Sequence, residues 1–161
     1  MTGSLAGTIT TTETVREDIM PKPSVSEAAA HWEGDLFKGS GSASLETSKV
    51  ATFDTNWKAR TEAGAGTTNP EELLGAALAS CYTMQLANGL AEDGHPATAL
   101  DARAAVTFDL AKGGITQITL TIHGDVPGLT ADEFREKARW AKDTCPVSTA
   151  LKAVPKELRF E

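Results

Sequence analysis

From Leu100 onward the chain keeps a period of two. Leu100, Ala102, Ala104, Val106, Phe108 and Leu110 fall on one side, and Asp101, Arg103, Thr107 and Asp109 on the other. Successive side chains of a strand point to opposite faces, so this pattern predicts a strand with one apolar face. After Lys112-Gly113-Gly114, the residues Ile118, Leu120 and Ile122 alternate with Thr119, Thr121 and His123. The two runs predict a β-hairpin.

The period changes on both sides of it. Between Asn69 and Gly94 the chain is apolar or small at most positions, and residues 73–81 are so on nearly every side. Asn69 is a good N-cap, Pro70 suits the first helical position, and Glu72 stands at capping-box spacing. A long helix is expected to about Asp93, closed by Gly94 with Pro96 beyond it. With so little polar surface it should be buried within the protein. A second helix opens at Thr130, with Glu133 three residues on and Leu129 placed to staple onto Phe134. Phe134, Ala138 and Ala141 share a face of it that leads to Cys145. Pro146 starts a short last helix to about Lys152, and Pro155 to Phe160 can close as an edge strand.

Ahead of the long helix, Ala28 to Arg60 reads as strands, with Lys38-Gly39-Ser40-Gly41 punctuating the first pair. In Ala51 to Arg60, a continuous strand would put Phe53 and Trp57 on one face and Lys58 and Arg60 on the other. Residues 1–27 are rich in Thr, Ser and Glu and show little periodicity. They read as a tail, or as an arm on a partner subunit in which Thr8 to Thr12 forms a strand. Residues 28–161 then make one domain, and no internal repeat is visible.

Composition narrows the function classes. At 161 residues with 40% apolar and 23% charged positions, the chain is an ordinary globular one. Its formal net charge of −7 argues against nucleic acid and anionic membrane as partners. No apolar run reaches the roughly 18 residues of a membrane span, and no signal peptide is apparent. A cytoplasmic location is expected, where a disulfide is usually transient and catalytic.

The candidate chemistry lies in the two cysteines. Cys145 precedes Pro146, so it should cap the last helix, where free N–H groups and the dipole favour a thiolate. A small buried hydrophobe is the competing reading. Cys81 stands in the middle of the long helix, where desolvation opposes ionisation unless a cation is brought to it. Arg60 is a candidate for that cation, set against a solvated strand-end arginine. Glu71 suits the first helical turn whatever the function. His31, His95 and His123 are scattered and neither cysteine lies in a C-x-x-C, which argues against a metal site.

Three segments carry a family resemblance: His31-Trp32-Glu33-Gly34-Asp35, Thr68-Asn69-Pro70-Glu71-Glu72-Leu73 through Cys81, and Cys145-Pro146-Val147-Ser148. In their order the chain resembles the OsmC branch of the OsmC/Ohr hydroperoxide reductases over about residues 29–161. The resemblance implies an α+β fold, with antiparallel sheets wrapped around a long central helix in an intertwined homodimer. It implies a thiol-dependent peroxidase for organic hydroperoxides, with Cys81 peroxidatic and Cys145 resolving. Arg60 matches the arginine that activates the thiolate, and Glu71 the glutamate that pairs with it. A Cys81–Cys145 disulfide and an external dithiol reductant follow, with no metal or organic cofactor. Leu74, Leu78 and Met84 would make the surroundings of Cys81 apolar. A dimeric stress or ligand-binding protein with structural cysteines is the alternative, and a hydrolase pairing Cys81 with a histidine is a further rival.

One geometric conflict is legible at once. Glu71 and Cys81 are ten residues apart on one helix, about 15 Å along its axis and roughly 80° apart in direction. A straight helix cannot bring both to one site. Either Glu71 comes from a partner subunit or the helix bends near Gly75.

Overall fold

The computed structural model describes residues 23–62 and 64–161. Strands β1 (Ala28–Glu33), β2 (Ser40–Leu45) and β3 (Thr52–Thr55) form one antiparallel sheet in that order. A single helical turn, α1 (Lys58–Thr61), and the long helix α2 (Pro70–Glu92) follow. Next come β4 (Ala99–Asp109) and β5 (Gly114–Asp125), then α3 (Ala131–Thr144), α4 (Pro146–Ala150) and β6 (Lys156–Phe160). The strand expected at Thr8 to Thr12 lies outside the described residues.

The second sheet has the order β4-β5-β6, with β4 antiparallel and β6 parallel to β5. Its inner face is the one the alternation predicts: Ile118, Leu120 and Ile122 are fully buried. Against them lie Leu78, Tyr82, Leu86 and Leu90, one turn apart along α2 and all buried. Burying such side chains stabilises the fold by about 1.5–3 kcal/mol each, which makes this contact the centre of the core. The parallel β6 requires a crossover, and α3 and α4 supply it.

Helix α2 starts as expected, with Asn69 Oδ1 accepting from the Glu72 N–H at 2.8 Å. Glu72 does not reach back to complete a box; its carboxylate accepts instead from Thr68 Oγ1. At the other end Gly94 takes φ +84° and the His95 N–H donates to Leu90 O, a left-handed glycine stop. The helix is continuous through Gly75, which lies so near β4 that a Cβ there would sit 3.1 Å from Ala104 O. It is not buried all round. Ala76, Ala77, Ser80, Met84 and Ala87 are exposed, so one face is left uncovered by this chain.

The strand expected to run on to Arg60 stops at Thr55. Asn56 Oδ1 accepts from the Ala59 N–H at 2.8 Å and Asn56 Nδ2 donates to Thr67 Oγ1, which turns the chain into α1. A local side chain–backbone bond has won over the extended pattern. Helix α3 carries the full capping box, Thr130 with Glu133. Its face through Ala138 and Ala141 to Cys145 is fully buried.

Candidate active site

The four residues singled out in the sequence are gathered as two separate pairs. The first is the cysteines. Cys145 Sγ donates to Cys81 Sγ at 3.2 Å, although 64 residues separate them. Cys81 faces the core edge of α2 and is half-buried, whereas Cys145 has no exposed surface. Cys145 is the joint between two helices. Its N–H donates to Ala141 O, closing α3, and its carbonyl accepts from the Thr149 N–H, opening α4. Closing the pair needs the sulfurs to approach from 3.2 Å to about 2.05 Å, a small step for the α3–α4 joint.

Helix-start electrostatics do not win at Cys145. Burial pushes its thiol up. The N–H groups of Ser148 and Val147 pull the other way and offset only part of the rise, to which the Cys81 thiol adds. The expectation of a low-pKa capping thiol is therefore corrected: Cys145 is fully buried, and its desolvation outweighs a helix of five residues.

The second pair is Arg60 with Glu71. Arg60 Nη2 lies 2.5 Å from Glu71 Oε1, and Arg60 Nε lies 3.2 Å from both carboxylate oxygens. Glu71 is only 6% exposed. The guanidinium also lies over the Phe108 ring, with Cζ 4.3 Å from the centroid, and beside Trp57 at 5.6 Å. Arg60 is thus no solvated strand-end residue. A buried carboxylate fixes its fork and two aromatic rings flank its plane. A cavity of about 490 Å³ opens beside it, lined by Glu71, Asn69, Thr67, Ala104 and Phe108 among others.

Within the chain the two pairs are not one site. Because α2 is continuous from Pro70 to Glu92, Glu71 stays about 15 Å along the axis from Cys81. The apolar residues expected around Cys81 divide as well. Leu78 belongs to the core, Leu74 is half-buried and Met84 is exposed. His31 pairs with Glu33 and His123 with the Glu161 carbonyl, while each thiol has the other thiol as its partner.

Several residues of the site escaped the sequence reading. Asn56, Trp57 and Phe108 hold Arg60 in place, and only the Asn56-to-Ala59 spacing hinted at a turn. Tyr82, the one tyrosine of the chain, donates from its buried hydroxyl to Ala138 O at 3.1 Å. That bond ties α2 to α3 beside the cysteines, and burial pushes the Tyr82 phenol up.

Residues 63–158 match the family described as OsmC-like protein. The chain is also 42% identical over 126 residues to Peroxiredoxin OsmC of Escherichia coli strain K12, covering 77% of this chain and 87% of that one. The chain belongs to the OsmC family. Peroxiredoxin OsmC of Shigella flexneri matches equally, at 42% identity over the same length and the same shares.

Solved structures agree on the fold. An OsmC-like protein of unknown function from Vibrio cholerae superposes with a TM-score of 0.69 at 13% identity, covering 86% of this chain and all of that one. The organic hydroperoxide resistance protein OhrB of Bacillus subtilis gives 0.60 at 23% identity, with 84% and 98% covered. The resistance protein OsmC of Legionella pneumophila gives 0.64 at 19%, with 86% and 99% covered. The α+β fold with two small sheets and a long helix is therefore that of this family. Among the described residues no helix is long and apolar enough to cross a membrane.

Proposed function

We propose that this OsmC-family chain is a thiol-dependent peroxidase that reduces organic hydroperoxides through Cys81 and Cys145. The observation that carries the reading is the 3.2 Å contact between the two thiols, in a chain 42% identical to proteins named peroxiredoxin. Cys81 is the half-buried member of the pair and so the one a peroxide reaches first. Its thiolate attacks one peroxide oxygen, the O–O bond breaks, and the alkoxide leaves as the alcohol after taking a proton. Cys81 is left as a sulfenic acid. Cys145 then attacks the Cys81 sulfur, forming the S–S bond and expelling the oxygen as water. An external dithiol reduces the disulfide by two exchange steps and is itself oxidised.

In this reading Arg60 supplies the positive charge for the Cys81 thiolate and Glu71 fixes the arginine. Since Glu71 lies about 15 Å along α2 from the Cys81 of its own chain, the pair serves the Cys81 of a second copy. Two observations support a homodimer. No residue of β1, β2 or β3 is buried within the chain, and a three-stranded sheet needs an apolar surface to rest on. Trp32, Leu36, Phe37 and Leu45 are exposed on or beside that sheet, while the Ala76, Ala77 and Met84 face of α2 is also open. Residues 1–27 form an extension to the domain in the same reading.

Thiol titration before and after one equivalent of cumene hydroperoxide tests the function. The expected outcome is loss of two thiols per chain with release of one cumyl alcohol. Cys145→Ser should stop at the Cys81 sulfenic acid and then over-oxidise, and Cys81→Ser should not react. Two thiols retained after peroxide treatment would leave the stress or ligand-binding reading in its place.

A further inference from the structure

The peroxidase reading requires Cys145 to reach Cys81 quickly, before a second peroxide does. What holds the two together in the reduced chain is not the sulfur contact, since an S–H donor is weak. It is the packing of α2 on α3, and all of its specific links lie on the C-terminal side of Cys81. Tyr82 bonds to Ala138 O, and Gly89 lies under Trp140, whose Cζ3 would be 2.3 Å from a Cβ placed there. Between them, Gln85 Nε2 donates to Thr144 Oγ1 at 3.1 Å, and that hydroxyl donates on to Trp140 O at 2.8 Å.

At the far end of α2 the Lys137 ammonium pairs with Asp93 at 2.5 Å, and the Gln85–Thr144 bond differs from these other three links. Thr144 immediately precedes Cys145 in the chain, and Gln85 stands one helical turn beyond Cys81. It spans the two helices at the residue next to Cys145, between positions 59 apart in sequence. Thr144 is exposed and Gln85 half-buried, so the bond closes no core cavity. Thr144 also ends α3, where the chain swings through Cys145 into α4. The joint also rests on the burial of Cys145 and on the packing of α4 beside α2, and the Gln85–Thr144 bond adds a directional link at its solvent edge.

We propose that Gln85 and Thr144 are positioning residues that clasp the α3–α4 joint to α2 and thereby set the rate at which Cys145 resolves the Cys81 sulfenic acid. In the disulfide the covalent bond keeps the joint against α2 whether or not the clasp exists. In the thiol and sulfenic acid states only the clasp and the packing do so. Removing it lets the joint sample open positions, which lowers the effective concentration of Cys145 at Cys81. A net hydrogen bond of ordinary strength corresponds to about a two- to tenfold change in such an equilibrium. Two fates of the sulfenic acid then compete. Attack by Cys145 gives the disulfide and water, and a second hydroperoxide gives the sulfinic acid and another alcohol.

The test uses the full chain with Gln85→Met, Thr144→Val and Thr144→Ser. Intact mass after graded cumene hydroperoxide gives the ratio of sulfinic acid to disulfide. The first two variants are expected to raise that ratio two- to tenfold while Cys81 oxidises at an unchanged initial rate, and Thr144→Ser, which keeps the hydroxyl, is expected to behave as the parent. The same clasp is read without peroxide from the thiol–disulfide equilibrium against dithiothreitol. There Gln85→Met and Thr144→Val should each favour the dithiol form two- to tenfold. Parent-like values in both measurements, or a change in only one of these two variants, would overturn the proposal. If the parent chain resists peroxide, the peroxidase reading fails and the dithiothreitol equilibrium alone decides the clasp.

Discussion

The Arg60 guanidinium meets the Glu71 carboxylate through both Nη2 and Nε, with the closest approach 2.5 Å. The arginine is 29% exposed in its side chain and the glutamate 7%. The burden of the pair therefore falls on Glu71, which Arg60→Ala would leave as a buried carboxylate without a counter-ion. Water reaching through the arginine's own site limits the cost, which should be about 1–3 kcal/mol. A urea midpoint shifted down by that amount, together with slower peroxide reduction, is the expected outcome. Arg60→Lys keeps the charge but not the fork on Glu71 or the flat face on Phe108, so it should restore only part of either. Unchanged stability in Arg60→Ala would mean that Glu71 finds another partner or takes up a proton.

How much of this was legible in the sequence divides along the range of the interactions. The β4–β5 hairpin is readable because one face alternates along both strands, whereas the shift of register between Thr107 and Phe108 is not. Both helix starts were readable because Asn69 and Thr130 cap within three residues. The stop of β3 at Thr55 is not readable, because Asn56 accepts from the Ala59 N–H and a strand pattern does not register a side chain competing for the backbone. The pattern of α2 predicts a helix buried within the protein, because small residues look apolar from either side. Ala76 and Ala77 in fact face outward from this chain. The pairing of Cys81 with Cys145 came from family resemblance, since no local rule links residues 64 apart. The rise at Cys145 depends on how dry its surroundings are, which only the packing of three elements decides.

That rise sets a pH dependence. The folded Cys145 thiol holds its proton above the ordinary thiol pKa of about 8.5. In the unfolded chain it ionises first, so between the two values the folded state binds more protons and stability falls as pH rises. Below the ordinary thiol range the contribution is fully present. Resolution runs the opposite way, because Cys145 attacks as the thiolate. Rapid mixing of peroxide-treated chain should show disulfide closure still accelerating with pH beyond the ordinary thiol range. A plateau below that range would show that Cys145 is ionised more easily than its burial allows.

Gly89 gives a test of the α2–α3 contact that does not touch a cysteine. A Cβ there would stand 2.3 Å from Trp140 Cζ3 and 2.8 Å from Cη2, so the indole must move. The ring is also held by the Lys137 ammonium 4.6 Å from its centroid, which leaves it little freedom. Gly89→Ala should cost about 1–3 kcal/mol by overpacking, despite alanine's better helix propensity. Thermal unfolding measures it. A gain in stability would mean that Trp140 swings clear and that the helices are not locked at this crossing.

Glu71 and Cys81 are too far apart on one helix to share a site within one chain. Helix α2 runs unbroken between them, and Gly75, the one residue where a bend was conceivable, lies close against β4 at Ala104. If Glu71 and its Arg60 act on a Cys81 thiolate at all, that thiolate belongs to another copy of the chain. Glu71→Ala removes the arginine's anchor and Cys81→Ser removes the nucleophile, so each homodimer should be close to inactive. A mixed dimer has two sites of different composition. One site joins the intact Cys81 to the intact Arg60–Glu71 pair of the Cys81→Ser chain, and the other lacks both functions. Mixing the variants at equal concentration and allowing subunits to exchange should therefore restore activity. A random mixture is half heterodimer with one working site of two, so about a quarter of the parent rate is expected, following the symmetry of a two-fold interface. Exchange is verified by mass tags on the two variants. No recovery after verified exchange would place Glu71 in the service of its own chain, through contacts other than those at Cys81.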